Sequence, residues 1–120
     1  MIRILTDKIE PDELKKLCAE YFISFVKIVV DIKKGIISAG GELHSDAEAI
    51  LIEHGSTQRD IWGANFYPYK VPEERVEYTA LINIKPRDDN PDMEIMNQKI
   101  RQRVKNLAET YLLEPDETLA

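Results

Sequence analysis

The residues best suited to chemistry are concentrated in one segment, residues 40–48, which reads GGELHSDAE. This segment follows an apolar run typical of a strand and precedes a run typical of a helix. If residues 42–44 are extended, Glu42 and His44 point to one side, and Asp46 lies in the next helical turn. Transition metals accept imidazole and carboxylate ligands, and a neutral histidine beside a carboxylate can act as a general base. We therefore predict a polar small-molecule or metal-assisted site at this junction, with hydrolysis as one candidate reaction.

A second unusual segment, residues 60–68, reads DIWGANFYP and places poor strand formers among aromatic residues. Glycine in a strand permits a close approach by a ligand, and the amide of Asn65 offers hydrogen bonds to one. Asp60 would join His44 if this strand begins alongside the first segment. The predicted catalytic residues are His44, Glu42 and Asp60, and the predicted ligand-binding residues are Asn65, Asp46 and Trp62.

The same residues also have a structural interpretation, and the sequence leaves both interpretations open. Ser45 and Glu48 match the capping-box pattern of a helix start, and Asp46 complements the helix dipole. Trp62 fits a hydrophobic core, and Asn65 fits a hydrogen bond across strands. The two histidines are separated by a whole helix, so no recognised metal signature is present, although a divalent metal remains a candidate cofactor.

Composition narrows the classes of function. The chain has 120 residues, of which 43% are hydrophobic and 32% charged, as in one globular domain. Its net charge of -6 repels phosphate backbones, so nucleic-acid binding is disfavoured. No apolar run approaches the roughly 18 residues that a bilayer-spanning helix needs. Because the chain has a single cysteine and no signal-peptide pattern, we expect a cytoplasmic protein with a reduced thiol.

Hydrophobic periodicity predicts the elements that must position these residues. In chain order they are a strand at 2–5, a helix starting at Pro11, a strand hairpin at 26–32 and 36–39, a helix that Ser45 opens and Gly55 ends, a second hairpin at 60–67 and 75–84, and a helix along 96–111. This order predicts the α+β class, with a mainly antiparallel sheet of four to five strands and three helices packed largely on one face. Residues 1–113 should form one compact domain and residues 114–120 a polar tail.

Alternation along residues 26–32 places Val26, Ile28 and Val30 on the face toward the core, so the opposite face of the sheet would carry Lys27 and Val29 among mixed polar and apolar residues. A solvated surface is the first interpretation, and a homodimer interface is the second, because Ile61, Tyr67 and Leu81 add apolar area there. The alternative to a small-molecule site is therefore a non-catalytic oligomerisation or protein-interaction module that uses this outer sheet face.

Several short runs resemble a small family of uncharacterised prokaryotic proteins, a domain of unknown function. They are residues 30–32, 40–48, 55–56, 58–65 and 81–86, and they include the pattern GGELH-x-D-x-E followed by D-x-W-G-x-N. The resemblance ends at Pro86 and does not include the last helix. It implies a single compact cytoplasmic domain and brings no activity, cofactor or catalytic residue with it.

Overall fold

A computed structural model of the chain describes residues 1–119. Its five-stranded antiparallel sheet consists of β1 (Ile2–Leu5), β2 (Val26–Asp31), β3 (Ile36–Gly40), β4 (Ile61–Phe66) and β5 (Val76–Glu77), in the spatial order β1-β3-β2-β4-β5. The helices are α1 (Pro11–Tyr21), α2 (His44–Glu53) and α3 (Gln98–Tyr111). The predicted α+β class is confirmed. Within residues 1–119, no helix is both long and apolar enough to cross a membrane.

The main core lies between one sheet face and helices α1 and α3. Strand alternation places Val26, Ile28 and Val30 of β2 on this face, as the sequence predicts. Leu14 of α1 and Val104 of α3 are fully buried in the same cluster. Two of the three helices thus pack on the predicted side of the sheet.

The third helix, α2, lies on the opposite face and forms a second core there. Val29, Ala47, Leu51 and Ile61 are fully buried in this cluster. The prediction that the outer face is solvated is therefore wrong around Val29 and Ile61. The physical reason is that α2 buries Ala47 and Leu51 against the apolar surface of Val29 and Ile61, whereas Ala49 and Ile52 on its other side stay exposed.

The start of α2 differs from the predicted capping box. The helix begins at His44, with Leu43 in the N-cap position and no side chain capping it, so the Ser45 prediction is wrong. Gly40 and Gly41 have φ of 108° and 86°, and these left-handed conformations turn the chain before Ser45 is reached. A Cβ atom at Gly40 would also clash with the backbone carbonyl of Met1. The helix end is as predicted, with Gly55 at φ 95° just beyond it.

The second hairpin is shorter than predicted. β4 pairs with β5 only at Val76–Glu77, and the chain then leaves the sheet, with a one-turn 3-10 helix at residues 81–83. The Asn83 side chain takes the place of a strand partner, since it accepts from the Gly63 amide at 2.7 Å and donates to the Gly63 carbonyl at 2.9 Å. A side chain thus satisfies backbone groups that a longer β5 would otherwise have paired.

The segment after α3 packs back onto the domain. The buried guanidinium of Arg75 donates to the backbone oxygens of Glu114 and Glu117 at 3.1 and 2.7 Å. Leu119 is also buried. The boundary at residue 113 between domain and tail stays a prediction.

Candidate functional site

His44 is the first residue of α2, and its ring reaches strand β4. Its Nε2 lies 2.8 Å from the carbonyl oxygen of Ala64. A carbonyl oxygen only accepts hydrogen bonds, so Nε2 carries the proton and Nδ1 holds a lone pair in the neutral ring. Burial lowers the pKa of His44 below its usual value of 6.5. At neutral pH the residue is therefore an imidazole that can accept a proton at Nδ1.

His44 lines a cleft of about 310 Å³ between α2, the sheet and the segment that follows β5. Lys27, Ser45 and Asn65 line the same cleft, together with apolar side chains that include Leu43, Leu81 and Met93. Leu43 and Leu81 are 51% and 71% exposed. The cleft therefore combines a few polar groups with apolar surface, which is the usual make-up of a small-molecule site.

Asn65 lines this cleft, and its side-chain amide is only partly paired within residues 1–119. Its Nδ2 donates to Oε1 of Glu77 at 2.7 Å, across the β4–β5 pair. Its Oδ1 is buried and has no donor in the described part of the chain while the neighbouring His44 ring is neutral, although a protonated ring would hydrogen-bond the Asn65 side chain. An unpaired buried acceptor carries a free-energy cost that a donor on a ligand would remove.

The positive groups of the cleft come from β2 and α2. Lys27 is paired directly opposite Asn65 in the sheet register, and its Nζ lies 4.9 Å from the centroid of the Phe22 ring. The first turn of α2 has no side-chain cap. The Asp46 amide donates to the Leu43 oxygen at 3.1 Å, and the other backbone N–H groups of this turn and the positive end of the helix dipole can attract an anion or a carbonyl oxygen.

The other predicted site residues lie elsewhere. Glu42 and Asp46 are exposed beside the start of α2 and do not line the cleft. Asp60 precedes β4, whereas Asn65 is near its end, and five residues of extended chain span about 16 Å. The predicted meeting of Asp60 with His44 is thus not found. Trp62 is 2% exposed, on the face of β4 that belongs to the main core.

A shared metal site is not apparent from this arrangement. Within residues 1–119, no group of three or more His, Cys, Asp and Glu side chains lies close enough to hold a metal ion. The structure brings His44 and Asn65 together and keeps Asp60 and Trp62 apart from them. The catalytic roles of Glu42 and Asp60 stay predictions.

Two lysines with functional potential were not predicted. Lys27 is placed correctly on the outer face, but only the β2–β4 register puts it beside Asn65. Lys85 is 8% exposed, and its Nζ donates to the backbone oxygen of Gln58 at 2.7 Å. Lysines are rarely buried, and nothing in the pattern around Lys85 indicates that this one is.

The comparisons with known proteins bear on the family and not on the activity. The model of the family described as "Protein of unknown function (DUF5674)" matches residues 3–111. The chain belongs to this family. The match includes α3 and so extends well beyond Pro86, where the resemblance seen in the sequence ends. Neither a curated protein nor a solved structure shows significant similarity to the chain.

Proposed function

We propose that the chain binds a small organic acid in the cleft between His44 and Asn65. One observation carries this proposal: a neutral imidazole, a buried unpaired amide oxygen and a lysine line the same cleft. A small number of polar groups that converge in a mainly apolar cleft is the usual sign of a ligand site.

The polar groups restrict the chemistry of the ligand. Lys27 and the uncapped start of α2 favour a carboxylate or a similar anionic group. Oδ1 of Asn65 needs a donor, so the ligand should also carry a hydroxyl or amino group. Leu43 and Leu81 would then contact its apolar part. The ligand class is a small acid with a hydrogen-bond donor close to its anionic group.

A catalytic role would belong to His44. Because its Nε2 donates to Ala64, Nδ1 is the atom that would accept a proton from a bound hydroxyl or from water. A lowered pKa keeps that atom unprotonated at neutral pH. Hydrolysis without a metal is the version of the predicted activity that this geometry supports, and Asn65 would orient the substrate.

The test is a screen of small hydroxy and amino acids against the full chain by backbone amide NMR. Binding should shift the amides of residues 43–45 and 65 and should be lost in His44→Gln. His54→Gln is the matched control, because within residues 1–119 that exposed ring bonds only the Ile50 oxygen of its own helix. Equal binding by both variants, or no saturable shift at these amides with any acid in the screen, would contradict the proposal.

Oligomerisation is the second candidate function, and the exposure of Leu81 favours it. The helix α2 covers part of the outer sheet face, but Leu81, Leu43 and Met93 still leave apolar surface around the cleft. Sedimentation at several concentrations separates the two functions. A dimer that Leu81→Asp converts to a monomer would support self-association through this surface, and a monomer at all concentrations would remove its support.

A further inference from the structure

A second and larger cleft, of about 630 Å³, lies between residues 58–59 and residues 84–88. We call it the Lys85 cleft. Its lining includes three cationic side chains, Arg59, Lys85 and Arg87, and one carboxylate, Asp88. The lining therefore has an excess of positive charge, although the chain as a whole carries a net charge of -6 and two further carboxylates, Glu48 and Asp60, attract Lys85 from a longer distance. A positive cleft on an acidic protein concentrates anions at one place.

Lys85 is the buried donor of this cleft. Its ammonium gives one hydrogen bond to the Gln58 carbonyl and lies 5.3 Å from the centroid of the Trp62 ring. Among the residues described, none has a carboxylate oxygen within 4 Å of Nζ. An ammonium has three N–H groups and the Gln58 carbonyl takes one, so two of them have no acceptor within residues 1–119. Burial of a charge in this state is costly, and an oxyanion would offset that cost.

The backbone holds Lys85 in this position. Its amide donates to the Asn90 oxygen at 2.6 Å, and the Asn90 amide donates back to the Lys85 oxygen at 3.0 Å. The Asn90 side chain is itself buried and donates to the backbone oxygens of Asn83, Asp92 and Glu94. The closed loop from 85 to 90 is therefore anchored at both ends, and Lys85 does not depend on a carboxylate partner for its placement.

None of the acidic groups near Lys85 within residues 1–119 forms a direct ion pair with Nζ. Asp88 lies 3.6 Å from the guanidinium of Arg59. Glu48 and Asp60 act on Lys85 only through longer-range attraction, and burial raises the pKa of Glu48.

We propose that the Lys85 cleft binds the oxyanion group of a small metabolite, with Lys85 as the buried donor and Arg87 as the exposed one. Arg87 has no ion pair with any residue in the range 1–119 and lines the same cleft. The cleft is much larger than a single oxyanion, so the rest of the metabolite contacts Ile84 and Pro86. The ligand group is a phosphate or a carboxylate, and the site is independent of the His44 cleft at the other end of β4.

The experiment titrates the full chain with sodium phosphate and, separately, with sodium acetate, at constant ionic strength. Backbone amide NMR should show saturable shifts at residues 58–59 and 85–88. Arg87→Gln should weaken binding by about tenfold, as expected for one charged hydrogen bond. Lys99→Gln is the control for net charge, since it removes one exposed cation from α3, and it should leave the affinity unchanged. Saturation by phosphate alone, by acetate alone or by both identifies which oxyanion the cleft accepts.

Three results would overturn the proposal. In the first, the amide shifts never saturate with either anion. In the second, the amide shifts are spread over lysines elsewhere on the surface. The third is equal weakening by Arg87→Gln and Lys99→Gln, which would indicate a general charge effect. His44→Gln should leave phosphate and acetate binding at the Lys85 cleft intact, so failure of the small-acid site and failure of this one are distinguishable.

Discussion

Asn83 provides the sharpest test of the fold, because its side chain takes the role of a missing strand. The buried amide accepts one hydrogen bond from Gly63 and donates two, to the carbonyls of Gly63 and Met93 at 2.9 and 3.0 Å. Asn83→Asp preserves the shape and the accepting oxygen but removes both donated bonds. It also places a buried carboxylate opposite two carbonyl oxygens.

The cost of this substitution follows from those contacts. Each donated bond lost to a buried group costs roughly 1–3 kcal/mol, so we expect Asn83→Asp to lower the free energy of unfolding by about 4 kcal/mol at pH 7. That is a large share of the roughly 5–15 kcal/mol of a typical domain. Burial should raise the pKa of the new carboxyl group. The penalty is therefore full above that raised pKa and shrinks as the pH falls through it.

Asn97→Asp is the matched control. Asn97 caps α3, and its Oδ1 accepts from the amides of Lys99 and Ile100 at 2.9 and 3.1 Å. No donated bond is lost there, and a charge at a helix N-terminus is favourable by roughly 0.3–1 kcal/mol. Urea unfolding followed by the fluorescence of Trp62, the single tryptophan, measures both variants. If the two substitutions cost the same, the assignment of Asn83 as a substitute strand partner is refuted.

Three further outcomes are expected. Ile23 has φ 67° just after α1 and is 74% exposed, so Ile23→Gly should raise the free energy of unfolding by about 0.5–1 kcal/mol, because little burial is lost and the left-handed strain disappears. An unchanged or lower melting temperature would contradict this. Cys18 is fully buried, and burial raises its pKa to about 11, so thiol reagents at pH 8 should label it only after unfolding. Rapid labelling of the folded chain would show that this core opens. Burial lowers the pKa of His44, so as the pH drops below 6.5 this residue takes up a proton more readily in the unfolded chain than in the folded chain. The free energy of unfolding should therefore fall below pH 6.5. His44→Gln should lack this part of the pH dependence in parallel denaturation curves, and identical curves would speak against a buried neutral ring.

Local sequence patterns predicted helices and strands well where apolar residues recur with a clear strand or helix period. Alternation in β2 placed Val26, Ile28 and Val30 on the core face, and helical spacing placed Leu14 and Leu17 of α1 in the core. These predictions succeed because burial of apolar side chains depends on the period of the strand or helix itself. The predicted strand at 78–84 failed for the opposite reason. Its alternation is compatible with pairing, but the Asn83 side chain competes successfully for the edge of β4.

The candidate site was predicted only in part. Of the residues singled out because polar side chains among apolar ones are locally unusual, His44 and Asn65 line one cleft, whereas Glu42 and Asp46 do not, and their functional roles stay predictions. The distance of Asp60 from His44 could not be read from the pattern, since it depends on where α2 crosses the sheet. The roles of Lys85 and Lys27 were also missed. Nothing in the sequence around a lysine indicates that it is buried or which residue lies opposite it on the neighbouring strand.

Residue order alone was sufficient for the class of fold and the two faces of β2, because both follow from the hydrophobic periods of successive short segments. The side of the sheet on which α2 lies, the hydrogen bond of His44 to Ala64 and the burial of Lys85 depended on long-range packing. Such contacts join residues about 20 or more positions apart in the sequence. Their free energy arises only when the whole chain is folded, so no local pattern encodes them.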